Sequence, residues 1–345
     1  MPDYPHRHQR ILLLFIFLIL AACKPFNPVV RITGTTMGTR YDLKLVPAPG
    51  QEIPADFNSQ VETLLARINQ RMSTYDPRSE LSQFNQTTRT DWITVSPELQ
   101  YVISEALYIS ELSDGAFDIT IGSLVNLWSF GPPPHHDHVP STQAINQARA
   151  QVGYWHLHTR KQPPALKKDR ANLYVDLSAI AKGYGVDQLA ALVDNIGIDN
   201  YLVSIGGEIR TKGRNSRGKP WTIAIEKPIP GQRAIERLIR IGDHSVSTSG
   251  DYRNFFEQDG QRYSHIIDPR TGRPTPQTLA SVTVISNRSI IADATATALM
   301  AAGAKAGFEI ATRHHLAAFF ILTTANGFKV RHTTEFIPYL LSEVP

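Results

Sequence analysis

The sequence predicts an α+β fold with mixed, largely antiparallel sheets and helices packed on them. Three observations predict it. Apolar residues recur at helical spacing in several separate stretches. Short alternating segments meet at glycine turns, and Asn326-Gly327 is a strong hairpin signal. Strands and helices do not alternate as a regular βαβ series, which a parallel sheet would need. The 345 residues are 42% hydrophobic and 19% charged, enough apolar material for a sizeable core. A formal charge of +4 is small for this length and gives no reason to expect nucleic acid as a partner.

The N-terminus reads MPDYPHRHQR, then ILLLFIFLILAA, then Cys23. That apolar run is 12 residues long, well short of the ~20 that a transmembrane helix needs. A basic segment, a short apolar segment and small residues together describe an export signal. The stretch LAAC, Leu20 to Cys23, resembles the lipobox of bacterial lipoproteins, whose cysteine is lipidated and becomes the first residue of the mature protein. The expected division is a signal peptide over 1–22, a lipidated tether over 23–30 and one domain over 31–345. Such a chain sits on the periplasmic side of a bacterial membrane, held by its lipid anchor. Lys24 follows the cysteine where an aspartate would mark inner-membrane retention, so the outer membrane stays open. Cys23 is the only cysteine, which leaves no intrachain disulfide and no thiol for catalysis.

The first strand-like segment covers about 31–46. A helix is expected over 54–72, where Val61, Leu64, Leu65 and Ile68 share one face. Asp76-Pro77 turns the chain, and 79–82 reads as a short helical turn. A second helix over 97–113 has Pro97 in its first turn and Ser96 as its cap. The segment GPPPHHDHVP, 131–140, is a loop; its three histidines and Asp137 invite a metal reading, and the flanking prolines favour a plain surface loop. A helix follows over 141–152. Next come a strand over 171–177, a helix over 179–195 and a strand over 201–205. A Gly206-Gly207 turn leads to strands over 208–211 and 221–226. Asp259-Gly260 makes a hairpin turn before a strand over 263–267, which ends at Asp268-Pro269 and a Thr271-Gly272 turn. A strand over 281–285, an alanine-rich helix over 293–307 and a hairpin over 319–330 complete the domain.

Three constellations carry chemistry. In VDLSAIAKGYGVDQLA, Ser178 is placed to cap a helix whose free N–H groups favour an anion. Lys182, one turn in, can reach a phosphate as a point charge. Asp176 can accept from a ribose, a ring N–H or a cap amide. Gly183 and Gly185 weaken the helix, which is tolerable where a ligand or another backbone comes close. Neither GxxxxGK[ST] nor GxGxxG occurs, and a plain strand–helix junction is the competing reading. In ADATATALMAAG, Asp293 and Thr297 are four apart and share a helix face. With a nearby carbonyl they are hard oxygen ligands of the kind Mg²⁺ takes; a helix cap beside a packing residue is the alternative. In the third, Ser247, Thr248, Ser249 and Gly250 form a small polar turn able to line a phosphate. His265 and Asp268 are candidates for proton handling, against a structural role. Trp128 and Phe130 either flank a planar ring or pack in a core, and Trp92, Trp155 and Trp221 read as structural.

Eight segments follow one another from about residue 33 to 303: TGTTMGTRYDLKL, RMSTYDPRSELSQFN, GAFDITIGSLVNLWSFGP, VDLSAIAKGYGVDQLA, NYLVSIGGEIRTKG, VSTSGDYRNFF, YSHIIDPRTGRP and ADATATALMAAG. Together they resemble the ApbE family of FAD:protein FMN transferases. The resemblance implies an enzyme that cleaves FAD, its substrate, in the presence of Mg²⁺. FMN passes to a threonine or serine hydroxyl of a target protein and AMP is released. It implies flavin-nucleotide contacts at Met37, Tyr75, Ala116, Phe117, Asp118, Asp176, Lys182 and Ile267. Metal ligands are implied at the carbonyl of Ala179 and the side chains of Asp293 and Thr297. Thr248 and His265 fall in segments beside the diphosphate, and the general base is left among His265, Asp268 and a carboxylate near the metal. Implied acceptors are subunits of membrane-bound, ion-pumping electron-transport complexes, which favours the inner membrane. The pattern departs mildly at Ser178-Ala179, where members often have Gly-Ala or Gly-Gly. An exported FAD pyrophosphatase and a non-catalytic flavin- or solute-binding lipoprotein are the alternative readings.

Overall fold

The computed structural model describes residues 28–134, 138–252 and 254–341. The signal segment, Cys23, Lys24 and the candidate metal residues His135, His136 and Asp137 lie outside the described residues.

The chain opens with a hairpin of β1 (Val30–Thr36) and β2 (Thr39–Leu45). Its turn places Met37 and Gly38 at positive φ. Helix α1 (Phe57–Met72) buries Val61, Leu64, Leu65 and Ile68, the face its spacing predicts. Helix α2 (Glu80–Gln86) is capped by Ser79, whose hydroxyl accepts the Ser82 N–H. After β3 (Ile93–Thr94), α3 (Pro97–Leu112) starts on the Ser96 cap with Pro97 in its first turn. Two short helices follow, α4 (Gly122–Leu127) and α5 (Thr142–Arg149), then β4 (Leu157–Arg160) and β5 (Ala165–Lys168). Helix α6 (Ala181–Asn195) leads to β6 (Tyr201–Ile205), β7 (Glu208–Lys212), β8 (Ile223–Glu226) and β9 (Ile235–Ile239). Next are β10 (Ser245–Gly250), β11 (Phe255–Gln258), β12 (Gln261–Ser264), β13 (Ile267–Asp268), β14 (Arg273–Pro274) and β15 (Leu279–Ser286). The chain ends with α7 (Ser289–Ala302), α8 (Ala304–Arg313), β16 (Ala317–Thr324), β17 (Gly327–His332) and a 3₁₀ turn, Thr334–Tyr339.

Eight strands form one sheet in the order β1-β2-β6-β7-β10-β15-β16-β17, every neighbouring pair antiparallel. Side chains alternate across it, as the pleat requires. Tyr201, Val203 and Ile205 of β6 join the main core with α1, α3 and α6, whereas Leu202 faces the other way. Val282 and Val284 of β15 and Ala318 and Phe320 of β16 pack with α7 and α8. On the opposite face, Phe319 and Ile321 meet β8, β9 and Phe336 of the terminal 3₁₀ turn. The helices therefore cover one face of the sheet, and a small hairpin layer closes the other. This is the α+β, largely antiparallel architecture the sequence predicts.

Some elements differ from expectation. Residues 171–177 form no strand; Tyr174 makes a single bridge to Ile121. The backbone there is satisfied by a side chain and a loop: Asn85 pairs with both the N–H and C=O of Val175, and the Asp176 N–H donates to the Ile119 carbonyl. The helix expected over 293–307 starts earlier and is two helices, divided at Gly303 with φ of 85°. Asp293 is therefore one turn inside α7 and is not its cap. The cap is Asp187 of α6, whose carboxylate accepts the N–H groups of Ser289 and Ile290. Trp155 is 61% exposed, standing edge-on to Tyr154, and is no part of the core. Trp128 is fully buried, its indole N–H donating to the Gly272 carbonyl at 2.8 Å, so it packs and does not flank a ligand.

Candidate active site

A cleft of about 510 Å³ opens between the start of α6, the β6–β7 turn, the end of β10, the loop before α4 and the face of α7. Helices α6 and α7 define its floor by approaching unusually closely. A Cβ on Gly183 would stand 2.4 Å from the Ser289 carbonyl oxygen and 2.7 Å from the Asp293 Cβ. Only glycine fits there, and the reason is a second backbone. The contact also brings the Gly183 N–H to the Asp293 carboxylate at 2.8 Å.

Lys182 extends along this floor. Its ammonium lies 2.9 Å from Glu208 and 3.6 Å from Asp293, and it donates to the Ser178 carbonyl at 3.4 Å. Both carboxylates are buried, with side-chain exposures of 6% and 4%, while the lysine side chain keeps 27%. Burial pushes the Asp293 carboxyl up to about 7, the Lys182 charge opposing and Glu208 adding to the rise. For Lys182 burial alone would lower the pKa, and the two carboxylates together raise it. The group sets two acids against one ammonium, and is net negative once Asp293 is ionised.

One turn on from Asp293, the Thr297 hydroxyl meets the Ser249 hydroxyl at 2.9 Å. Ala179 and Ser178 line the same space. Among the described residues no three His, Cys, Asp or Glu side chains gather into a metal cluster. The set still fits a hard cation: one carboxylate, a hydroxyl and a carbonyl, with a surplus negative charge to balance. A Mg²⁺ site commonly keeps several waters or substrate oxygens and takes only one or two carboxylates.

The opposite wall is the loop Ala116–Phe117–Asp118. Asp118 is buried, which raises its pKa, and it accepts from the Thr120 N–H and hydroxyl and from the Tyr154 N–H. Its carboxylate pins the loop so that Ala116 and Phe117 face the cleft. Asp176 accepts the Ser178 N–H at 2.8 Å, so it, and not Ser178, closes the turn before α6. Three of the amides at the start of α6 are already engaged. Those of Ile180 and Ala181 bond the Leu177 carbonyl, and that of Gly183 bonds Asp293. The anion that the Gly183 amide receives is the protein's own.

His265 and Ile267 line the third side. His265 Nδ1 stands 3.1 Å from the Asn254 carbonyl, which can only accept, so Nδ1 carries the proton and Nε2 is the basic nitrogen. Burial holds its pKa below the ordinary histidine value, with the Lys182 charge acting the same way and the Asn254 carbonyl opposing. Phe130 meets His265 edge-on, the ring centroids 6.3 Å apart.

The fold thus gathers Ala116, Phe117, Asp118, Asp176, Ala179, Lys182, Thr248, His265, Ile267, Asp293 and Thr297 around one cleft. Three candidates stand apart from its lining. Met37 lies in the β1–β2 turn and packs on the main core behind α6. Tyr75 lines a neighbouring shallow cleft of about 360 Å³ with Tyr174, Pro132 and Pro133. Asp268 is bound by both oxygens to Arg270 and accepts the Arg270 N–H, so its carboxylate holds a turn. Sequence reasoning missed Glu208. The available signal was an acid directly after a glycine pair at a strand start, where the chain turns into the sheet.

This is an antiparallel-sheet protein with a cleft where a lysine, two buried carboxylates and a pair of hydroxyls meet. The sequence profile of the ApbE family matches residues 37–320. A FAD:protein FMN transferase of Vibrio cholerae is 46% identical over 323 residues, covering 94% of this chain and 96% of that protein. One from Escherichia coli K12 is 38% identical over 344 residues, covering 97% and 98%. Among solved structures, the flavin transferase ApbE of V. cholerae superposes with a TM-score of 0.84 at 45% identity, over 91% of this chain and all of that one. The apo flavinyl transferase ApbE of Pseudomonas stutzeri gives 0.84 at 37% identity, over 92% and 98%. The chain belongs to the ApbE family.

Proposed function

We infer that this chain is a Mg²⁺-dependent FAD:protein FMN transferase. The observation that carries the reading is the meeting of Lys182, Glu208, Asp293 and Thr297 from three separate elements in one cleft. Full-length similarity to FAD:protein FMN transferases supports it.

In this reading the acceptor hydroxyl oxygen attacks the phosphorus of the FMN half of FAD. A new P–O bond forms, the bond to the bridging oxygen breaks, and AMP leaves with that oxygen. His265 Nε2 takes the hydroxyl proton; its neutral form and its fixed tautomer suit it to the task, whereas Asp268 is held by Arg270. Lys182 offsets charge building on the leaving phosphate. Asp293, Thr297 and the Ala179 carbonyl are the residues to hold Mg²⁺, which when bound neutralises the diphosphate and polarises the phosphorus under attack. Phe117 and Ala116 offer an apolar wall to a ring system.

The cellular setting is part of the same proposal. Cys23 anchors the enzyme by lipid on the periplasmic side of the inner or outer membrane, and the acceptors are subunits of membrane-bound electron-transport complexes. Among the described residues no helix is long and apolar enough to cross a membrane.

The test mixes the protein with FAD, Mg²⁺ and an acceptor carrying a target threonine. Covalent, fluorescent, acid-stable flavin on the acceptor is expected for the wild type, and very little for Asp293→Ala. Release of free FMN without an adduct would indicate a hydrolase, and equal labelling by both proteins would remove the metal assignment.

A further inference from the structure

Lys168 is a fully buried lysine at the end of β5, remote from any role derived above. Among the described residues no carboxylate stands within ion-pair distance of it. Its ammonium donates instead to three backbone carbonyls: Phe84 at 3.3 Å, Asn85 at 3.3 Å and Leu173 at 3.4 Å. Phe84 and Asn85 belong to the last turn of α2, where carbonyls have no partner within the helix and carry its negative end. The Phe84 ring lies 5.3 Å from the ammonium. Burying a cation without a counter-ion is expensive, and burial holds this amine below the ordinary lysine pKa. A methionine or leucine would fill the same space without that cost, so the carbonyls are what the charge is for.

Those carbonyls lead to the site. The Asn85 side chain donates to the Val175 carbonyl and accepts the Val175 N–H, both at 2.8 Å, standing in for a strand neighbour. Leu173 and Val175 are therefore both hung on the end of α2, one through Lys168 and one through Asn85. Tyr174, between them, lines the shallow cleft with Tyr75. Asp176, next along, lines the main cleft. The two clefts adjoin along this loop, since Tyr174 and Asp176, two residues apart, line one each.

We propose that Lys168 is a positioning residue for dinucleotide binding, its ammonium fixing the loop from which Tyr174 and Asp176 reach the two clefts. This rests on the reading of the main cleft as the FAD site. It predicts an effect on FAD recognition and little on the chemical step, since Lys182, Asp293 and His265 are held by other elements.

The experiment uses the full chain with Cys23→Ser, which removes the only cysteine. In Lys168→Met the KM for FAD rises about tenfold, the scale of one lost charge-assisted hydrogen bond, while kcat stays within about threefold. Lys168→Cys, alkylated with 2-bromoethylamine in denaturant and refolded, regains an ammonium on a side chain of nearly lysine length, and its KM returns to the wild-type value. Absence of FAD turnover in the Cys23→Ser parent would overturn the functional reading itself. Turnover by the parent with an unchanged KM in Lys168→Met would overturn only the present proposal, as would a KM that alkylation fails to restore. Should Lys168→Met not fold, Asn85→Leu cuts the same relay one step on. A raised KM supports the relay and an unchanged one refutes it.

Discussion

The close contact between α6 and α7 makes a sharp prediction for Gly183→Ala. The added Cβ would lie 2.4 Å from the Ser289 oxygen, 2.8 Å from its carbon and 2.7 Å from the Asp293 Cβ, where ordinary contact starts at 3.4 Å. None of these is the end of a flexible side chain, so α6 and α7 must part by about 1 Å. Overpacking of this kind costs ~1–3 kcal/mol. The same shift stretches the 2.8 Å bond from Gly183 to Asp293 beyond hydrogen-bond range, a loss of ~1.5–3 kcal/mol for a charged acceptor. Alanine returns ~1 kcal/mol of helix propensity, so the net destabilisation is about 1.5–5 kcal/mol. At roughly 2 °C per kcal/mol for a chain of this size, melting falls by about 3 °C or more. Activity suffers more, because displacing Asp293 from Lys182 by about 1 Å costs on the order of a hundredfold in rate. Gly185→Ala is the control: its Cβ meets only Ile205 Cδ1 at 2.8 Å and Met37 Cε at 3.3 Å, both side-chain tips. It should melt within about 1 kcal/mol of wild type, since propensity offsets the crowding. Thermal melts and flavin-transfer rates on both variants decide the matter. A Gly183→Ala protein that melts and reacts like wild type, or a Gly185→Ala that fares worse, refutes the close-packing account.

Three further outcomes are expected. Without metal, the raised Asp293 pKa means that stability from this group is fully present below the unfolded value of 3.8 and is lost as pH rises through about 7. Added Mg²⁺ or Asp293→Asn should flatten that part of the melting-temperature profile, and an unchanged slope contradicts the assignment. His265→Ala should lower kcat by about 10²–10⁴. The wild-type acid limb should fall below the ordinary histidine pKa because burial and Lys182 disfavour the imidazolium; a limb above it counts against His265 as base. In Glu208→Gln, Lys182 is left to Asp293 alone and the surplus negative charge is gone. The Mg²⁺ concentration for half-maximal transfer should rise about tenfold, and an unaltered Mg²⁺ titration would show that Glu208 does not help to hold the cation.

Helices with one apolar stripe and hairpins with glycine turns were legible because their signals are local. Val61, Leu64, Leu65 and Ile68 face the core as their spacing predicts, and Ser79 and Ser96 mark helix starts. The region 171–177 misleads because its apolar residues are buried as in a strand while its hydrogen-bond partners are a distant asparagine, a lysine and a loop, which no one window of sequence contains. The alanine-rich run hides its own division at Gly303, since alanine favours helix on both sides. At the site, residues sharing one segment were found together. Glu208 was missed because its significance lies in a lysine 26 positions earlier and an aspartate 85 positions later, joined only by the fold.

The most instructive difference concerns what receives the start of α6. A helix N-terminus after a strand-like segment, with a lysine one turn in, reads as a cradle for phosphate. The fold spends the Gly183 amide on Asp293 instead, and those of Ile180 and Ala181 on Leu177. That places a carboxylate where the helix dipole favours negative charge, against a burial that pushes its pKa up. The dipole, the amide and Lys182 together work to keep Asp293 ionised, which is the state a cation needs. In the proposed reaction Lys182, and a cation held by Asp293, would be the groups to meet the substrate phosphate. Gly183 is the hinge of this arrangement: by letting two backbones touch, it turns the start of α6 toward a buried carboxylate of the protein's own.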